Sequence, residues 1–185
     1  IVGVGGALFA YQYLLHGYQR SRIDTFLGLE DDPLGTGYHV LQSKIAIGSA
    51  GLFGRGYLHG TQSQLDFLPE KHTDFIFTMI VEQFGIVGGA FVLALFAALM
   101  ALSLQVAMRA RSLFGKLVCA GVAATLASYV FINTAMVLGL VPVVGVPLPM
   151  ISFGGTAMTT LMIGFAIVLS IDLRRDQHGA RGLLW

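Results

Sequence analysis

Three long apolar runs, separated by short polar segments, dominate the chain. Their lengths are typical of spanning helices: Phe84–Leu104, Leu117–Val141 and Met150–Ile171. A helix needs about 20 apolar residues to cross a bilayer, and lipid forces every backbone group to bond within the segment. The pattern therefore predicts an all-α, polytopic membrane helix bundle. We place its spans at 73–108, 117–141 and 156–172.

A fourth apolar run opens the chain and reaches Leu15. It is shorter than a span requires, and no basic start or cleavage pattern precedes it. We interpret residues 1–15 as the end of a truncated span. The chain is then predicted to be one membrane domain over 1–185, a fragment from the C-terminal portion of a larger protein.

Basic residues predict the orientation of the spans. They cluster in the link between the first two spans and in the tail at 173–185: Arg109, Arg111, Lys116, Arg174, Arg175 and Arg181. Cytoplasmic segments are enriched in Lys and Arg, so the link and the tail are predicted to be cytoplasmic. Alternation then places a long loop, 16–72, and an outer broken or re-entrant loop, 142–155, on the extracytoplasmic side.

The long loop contains two local signals. Arg20 and Arg22 conflict with an outside position, although long segments follow the charge rule poorly. The stretch Tyr38–Gly48 is predicted to form an interfacial helix, with Ile45 and Ile47 facing lipid.

Composition agrees with a membrane protein. The chain is 55% hydrophobic and 11% charged, with a mean hydropathy of +0.75, whereas soluble domains carry about 25% charged residues. The net charge of +1 gives no reason to expect a nucleic-acid partner. The single cysteine, Cys119, excludes a disulfide within the chain.

Three carboxylates precede the first span at intervals of four residues. Asp66, Glu70 and Asp74 would share one face of a helix, although Pro69 interrupts such a helix. Carboxylates that lie close together at a membrane edge acquire raised pKa values, which suits a general base. The alternative is that these acids cap helices, with Asp74 in the first turn of the span.

Four basic or titratable residues of the long loop are candidates for binding a diphosphate: Lys44, Arg55, Lys71 and His72. Cationic side chains and glycine-rich backbone are suited to phosphate oxygens. The alternative is that these side chains extend to lipid headgroups. His16, His39 and His59 show no metal-ligand spacing, so the sequence does not identify a metal site.

The segment Val141–Thr156 holds three prolines and three glycines. Broken backbone at membrane depth is tolerated only beside protein or a cavity, which predicts a groove, although an ordinary outer loop fits the pattern equally well. The groove-lining candidates are Glu82, Pro147, Pro149 and Ser152. Asn133 is interpreted as a helix-to-helix contact rather than a catalyst.

Two long motifs in this chain resemble the SEDS family of cell-wall synthases. They are GTGYHVLQSKIAIGSAGLFGRGYLHGTQSQLDFLPEKHTDFIF at Gly35–Phe77 and NTAMVLGLVPVVGVPLPMISFGG at Asn133–Gly155. The resemblance implies the C-terminal four spans of a ten-span fold. The sequence VVGVPLP resembles that of the RodA (rod-shape) branch, whereas the FtsW (division) branch typically has a lysine at about the position of Gly145.

The resemblance implies a peptidoglycan glycosyltransferase that polymerises lipid II on the outer face of the plasma membrane during cell elongation. The family's essential aspartate corresponds to Asp74, and its upstream acid corresponds to Asp66. Asp74 would be the general base for the acceptor sugar hydroxyl. The polyprenyl diphosphate leaving group would need positive charge or a divalent cation such as Mg²⁺.

The resemblance also implies a partner, a class B penicillin-binding protein whose single membrane helix would pack beside late SEDS helices. A small-residue surface is the expected contact: Gly85, Gly88, Gly89 and Ala90. Packing within the chain's own bundle is the alternative. Two other functions stay open, a flippase for the same lipid, which Glu82 would suit, and a non-catalytic scaffold.

Overall fold

The computed structural model describes residues 17–29, 36–56 and 73–181. Within these ranges every regular element is an α-helix, which confirms the predicted all-α class. The five helices are α1 (Gly17–Leu27), α2 (Thr36–Ser49), α3 (Ile76–Arg109), α4 (Leu113–Val137) and α5 (Gly155–Arg181). Among the described residues, α3, α4 and the Gly155–Arg174 part of α5 are long and apolar enough to cross a membrane.

The end of α4 differs from the range that the apolar pattern predicts. Apolar residues continue to Val141, but the helix ends at Val137 because Gly139 adopts a left-handed conformation with φ +66°. The backbone N–H groups of Gly139 and Leu140 donate to Met136 O and Ala135 O at 2.9 and 2.8 Å. This is a Schellman motif, in which glycine lets the chain turn back on the helix. Hydropathy alone does not predict that the helix ends at this position.

The hydrophobic core lies between α3 and α4, the most extensively packed pair of helices. Leu126 and Met136 of α4 are fully buried, and Phe77 and Val81 of α3 are nearly so. The loop after α4 contributes Leu148, which is also fully buried. Large apolar side chains elsewhere on the long helices are exposed, as expected for surfaces that face lipid or other spans: Phe91, Leu102, Phe131 and Ile163.

Helix α3 is broken at Gly85, where φ is +75° and ψ is −173°. Residues 51–56 enter the break and form four backbone hydrogen bonds with α3. The donor and acceptor pairs are Arg55 N to Glu82 O, Gly56 N to Gln83 O, Ile86 N to Gly51 O and Val87 N to Leu52 O, at 3.0–3.2 Å. These bonds satisfy groups that the break leaves without helical partners.

Glycine is required on both sides of this insertion. A Cβ atom on Gly85 would overlap Leu52 O, and one on Gly54 would overlap Gln83 O. The bend also brings Val81 over Gly89, leaving no space for a side chain there. Gly85 and Gly89 are therefore buried inside this chain, so the prediction that they face a partner helix was wrong.

Helix α2 covers the stretch predicted to be helical, and it is fixed to α3 and α4 by Ser43. The buried Ser43 hydroxyl donates to Val137 O at 2.8 Å and lies 2.6 Å from Thr78 Oγ1. Ile45 is exposed, as predicted, but Ile47 packs against the core, so its predicted lipid-facing position was wrong. The burial of Ala46 and Ala50 shows that this face of α2 meets the bundle.

Candidate functional site

Asp74 lies in the turn of residues 73–75 directly before α3, and its side chain is half-buried. It lies beside Gly145 in the loop of residues 138–154, hereafter the α4–α5 loop. A Cβ atom on Gly145 would lie 3.3 Å from Asp74 Oδ2. The first turn of α3 has no acidic residue, so Asp74 does not occupy the first turn of the span. The carboxylate instead borders the backbone of the α4–α5 loop.

Two polar side chains hold the turn that carries Asp74. Asn133, fully buried on α4, donates from Nδ2 to Asp74 O at 2.8 Å and to Val146 O at 2.7 Å. Ser152 Oγ donates to Thr73 O at 2.6 Å and accepts a hydrogen bond from Leu148 N at 2.8 Å. Two consecutive carbonyl groups, at 73 and 74, are thereby tied to α4 and to the α4–α5 loop.

A cleft of about 190 Å³ lies between α1, α2 and the start of the α4–α5 loop. Two bases line it, Arg22 and Lys44. The other side chains of the lining are mainly apolar: Phe26, Val40, Leu41, Val141, Pro142 and Val143. A small cleft that combines cationic and apolar walls is suited to an anionic amphiphile, because phosphate oxygens bind the cations while hydrocarbon contacts the apolar wall.

Backbone contacts of the α4–α5 loop set the positions of both bases. Arg22 Nη1 donates to Val143 O at 2.6 Å. The end of the Lys44 side chain lies over Gly139, where a Cβ atom would overlap it. The stretch Gly139–Gly145 therefore contacts Lys44 at Gly139, Arg22 at Val143 and the Asp74 carboxylate at Gly145. One residue separates Val143 from Gly145, so their Cα atoms are about 7 Å apart at most.

The remaining predicted site residues fall elsewhere. Arg55 is exposed at the break in α3, and Glu82 beside it is 1% exposed. Pro149 and Ser152 are buried, and Pro147 packs against Gly154. The cleft lining includes none of these side chains. Asp66, Glu70, Lys71 and His72 lie outside the described residues, so their assigned roles stay predictions.

Sequence reasoning missed Arg22 and undervalued Asn133. The signal for Arg22 was present, since a base in a loop predicted to be extracytoplasmic departs from the charge rule and requires an explanation. Asn133 offered no such signal, because its contacts are with backbone atoms distant in sequence. Among the described residues, no group of three His, Cys, Asp or Glu side chains is arranged to hold a metal, and the divalent cation stays a prediction.

A family of cell cycle proteins accounts for almost the whole chain. The sequence model of the FtsW, RodA and SpoVE proteins matches residues 1–177. The chain belongs to the FtsW/RodA/SpoVE family. This is the SEDS family that the two motifs predicted, so that resemblance is confirmed.

Individual members of the FtsW/RodA/SpoVE family are similar over nearly all of the chain. Peptidoglycan glycosyltransferase MrdB of Escherichia coli K12 is 51% identical over 95% of this chain and 49% of its own length. Peptidoglycan glycosyltransferase RodA of Treponema pallidum is 39% identical over 94% of this chain and 40% of its own. Stage V sporulation protein E of Bacillus subtilis is 36% identical over 93% and 46%. The chain thus spans about half the length of these relatives.

A solved structure agrees with the fold described above. It is a chain from work named "Structural coordination of polymerization and crosslinking by a peptidoglycan synthase complex". The TM-score is 0.69 at 31% sequence identity, over 94% of this chain and 48% of the other.

Proposed function

We propose that this protein is a peptidoglycan glycosyltransferase that polymerises lipid II during cell elongation and the maintenance of cell shape. One observation carries the proposal: Asp74 and two cations lie along the same seven-residue stretch, Gly139–Gly145. A glycosyl transfer from a lipid diphosphate needs a base for the acceptor and positive charge for the leaving group. The relatives named peptidoglycan glycosyltransferases support the same reaction.

In the proposed reaction, the acceptor sugar hydroxyl attacks the anomeric carbon of the donor. A new glycosidic C–O bond forms there, and the bond to the polyprenyl diphosphate breaks. The hydroxyl proton passes to the Asp74 carboxylate, and the electron pair leaves with the diphosphate. General-base assistance of this kind is worth roughly 10²–10⁴ in rate.

Lys44 and Arg22 would receive the diphosphate in this scheme. Of the four predicted diphosphate ligands, Lys44 is the one that lines the described cleft. Arg22 adds a planar guanidinium, which suits phosphate oxygens geometrically. The apolar wall of the cleft would contact the first part of the polyprenyl chain.

We infer that the site lies at the outer face of the plasma membrane. Arg109, Arg111 and Lys116 all lie where α3 and α4 join, at the end of the bundle opposite Asp74. The basic end is then cytoplasmic, and Asp74 and the α4–α5 loop are extracytoplasmic. A class B penicillin-binding protein is the proposed partner, and the likeness to a chain of a peptidoglycan synthase complex supports such an assembly.

The flippase is the second candidate, and the break in α3 favours it. Discontinuous helices with buried acids are typical of transporters, and Glu82 lies at the break with 1% of its surface exposed. The two candidates therefore assign the essential acid differently. The glycosyltransferase requires Asp74, whereas the flippase requires Glu82.

The deciding experiment uses the full-length protein, purified with its penicillin-binding partner whose transpeptidase serine is disabled. Wild type, Asp74→Asn and Glu82→Gln are incubated with lipid II, and glycan strands are separated on a gel. We expect Asp74→Asn to lose polymerisation by at least roughly 10²-fold, with unchanged thermal stability. Folding should survive, because Asn133 bonds the backbone of Asp74 and not its carboxylate.

Each result leads to a different conclusion. Strands from wild type but not from Asp74→Asn support the glycosyltransferase with Asp74 as the base. Strands from both keep the enzyme and reject Asp74, with Asp66 the next residue to test. Strands from neither, with both proteins folded, favour the flippase or the scaffold, and a lipid II translocation assay with Glu82→Gln separates those two.

A further inference from the structure

Asn133 is committed through its amide nitrogen to the turn before α3. The Nδ2 group carries two hydrogens, and its two bonds, to Asp74 O and Val146 O, use both of them. Because the side chain is fully buried, water does not compete for either bond. Asn133 therefore fixes the distance between the carbonyl group of Asp74 and the carbonyl group of Val146, the residue after Gly145.

Ser152 supplies a second, independent tie to the same turn. Its single hydroxyl proton goes to Thr73 O, and its oxygen accepts from Leu148 N. Neither carbonyl group, at 73 or 74, lies inside the helix that follows, which begins at Ile76. Fastening two consecutive carbonyls restricts rotation of the peptide unit between them, and with it the direction in which the Asp74 side chain leaves the backbone.

We propose that Asn133 is a positioning residue for Asp74 and that Ser152 supports it. The inference rests on the proposed function, in which Asp74 removes the proton from the acceptor hydroxyl. A base contributes only when it lies within hydrogen-bond reach of that proton, and displacement by about 1 Å can cost 10²-fold in rate. The two ties hold the carboxylate beside Gly145, the end of the stretch that also contacts the cations.

The main variant is Asn133→Leu, which keeps the approximate volume and removes both donors. Its matched control is Thr134→Val on the same turn of α4, because the Thr134 hydroxyl has no hydrogen-bond partner in the described part of the chain. Both are prepared as full-length protein with the penicillin-binding partner. Rates are measured against lipid II concentration and divided by the amount of folded complex, and thermal stability is recorded.

We expect Asn133→Leu to lower kcat by about tenfold or more while KM changes by less than about twofold. Thr134→Val should keep both constants. A role confined to stability would lower the melting temperature and leave kcat per folded complex unchanged, and that result would overturn the proposal. An equal loss in Thr134→Val would overturn it as well.

Ser152 provides a second test that holds even if Asn133→Leu does not fold. Ser152→Ala removes the tie and Ser152→Thr keeps a hydroxyl, while Ser103→Ala removes a buried hydroxyl that donates to Leu99 O of its own helix. We expect kcat to fall at least about threefold in Ser152→Ala, to recover in Ser152→Thr and to be unchanged in Ser103→Ala. Full activity of Ser152→Ala would contradict the inference.

The parallel Asp74→Asn measurement separates the positioning role from the proposed function. If Asp74→Asn retains activity, Asp74 is not the base, and the proposed positioning role of Asn133 is rejected with it. An inactive Asp74→Asn together with fully active Asn133→Leu and Ser152→Ala leaves the proposed function standing and removes only the positioning role.

Discussion

The two ends of the helix bundle differ in whether buried polar side chains join their elements. At the end that carries Asp74, the loop end, buried polar side chains reach between elements: Ser43, Thr78, Asn133 and Ser152. At the opposite end, where α3 turns into α4, apolar packing of Ala107, Cys119 and Val168 joins the helices. Among the described residues, the buried polar side chain nearest that end is Ser103, and its hydroxyl donates to Leu99 O within α3.

The difference indicates where geometry matters most. Apolar contacts are tolerant of small shifts, because burial depends on area and not on direction. Hydrogen bonds fix both distance and angle, and a buried donor left without its acceptor is costly. A bundle that needed only to stay folded could use apolar packing at both ends. The loop end bears the directional contacts, and it is also where the carboxylate and the cations lie.

The strongest test of this comparison is Gly85→Ala at the break in α3. The new Cβ atom would overlap Leu52 O, and φ +75° with ψ −173° is a region open essentially to glycine alone. We expect a loss of about 3 kcal/mol or more in the free energy of unfolding. The measurement is thermal unfolding in detergent.

Gly121→Ala is the matched control for that variant. Gly121 lies within α4, and a Cβ atom there would meet nothing within 4 Å. The change should be neutral or stabilising by up to about 1 kcal/mol, since alanine favours helix. Similar melting temperatures for both variants would show that the inserted loop does not depend on the glycine.

The second test concerns binding, and it compares Lys44→Met at the loop end with Lys116→Met at the other end. Loss of one charge-assisted contact to phosphate costs about 1.5 kcal/mol or more, so KM for lipid II should rise about tenfold in Lys44→Met. Lys116 is exposed in the first turn of α4, at the end of the bundle opposite Asp74, and its replacement should leave KM unchanged. Equal KM values in the two variants would remove the cleft from the substrate site.

The smallest effect is expected at the far end, in Ser112→Ala. Ser112 caps α4 by accepting a hydrogen bond from Gly115 N at 3.0 Å. Its loss should lower the free energy of unfolding by about 1 kcal/mol and leave polymerisation per folded complex unchanged. Ser112→Asp, which retains a capping oxygen, is the control. A reduced rate in Ser112→Ala alone would show that this end also shapes the site.

Hydropathy was sufficient to predict the long helices, because lipid imposes length and apolar composition on any span. The helical stretch at 38–48 was also predictable, from its pattern alone. The motif carrying Asp74 indicated the family before any geometry was known. These features are local, since each depends on residues that are neighbours in sequence.

The parts that could not be predicted depend on distant residues. Nothing near Gly85 in the sequence indicates that residues 51–56 enter the helix there, since the four hydrogen bonds that hold them join backbone atoms. Ile47 has the apolar character expected of a lipid-facing residue, yet tertiary packing places it against the core. Arg22 joins the site through Val143, 121 positions along the chain. Such contacts can be identified only in the folded structure.

The way in which Asn133 and Ser152 hold the site has a consequence for chemical labelling. Both bond main-chain carbonyl groups of residues 73 and 74, so these two ties do not require a carboxylate at position 74. A cysteine placed there would present its thiol where the carboxylate now lies. The chain's single native cysteine, Cys119, is buried, so a thiol-directed reagent would distinguish the two. A crosslinker attached to a cysteine at position 74 could therefore capture molecules that enter the site.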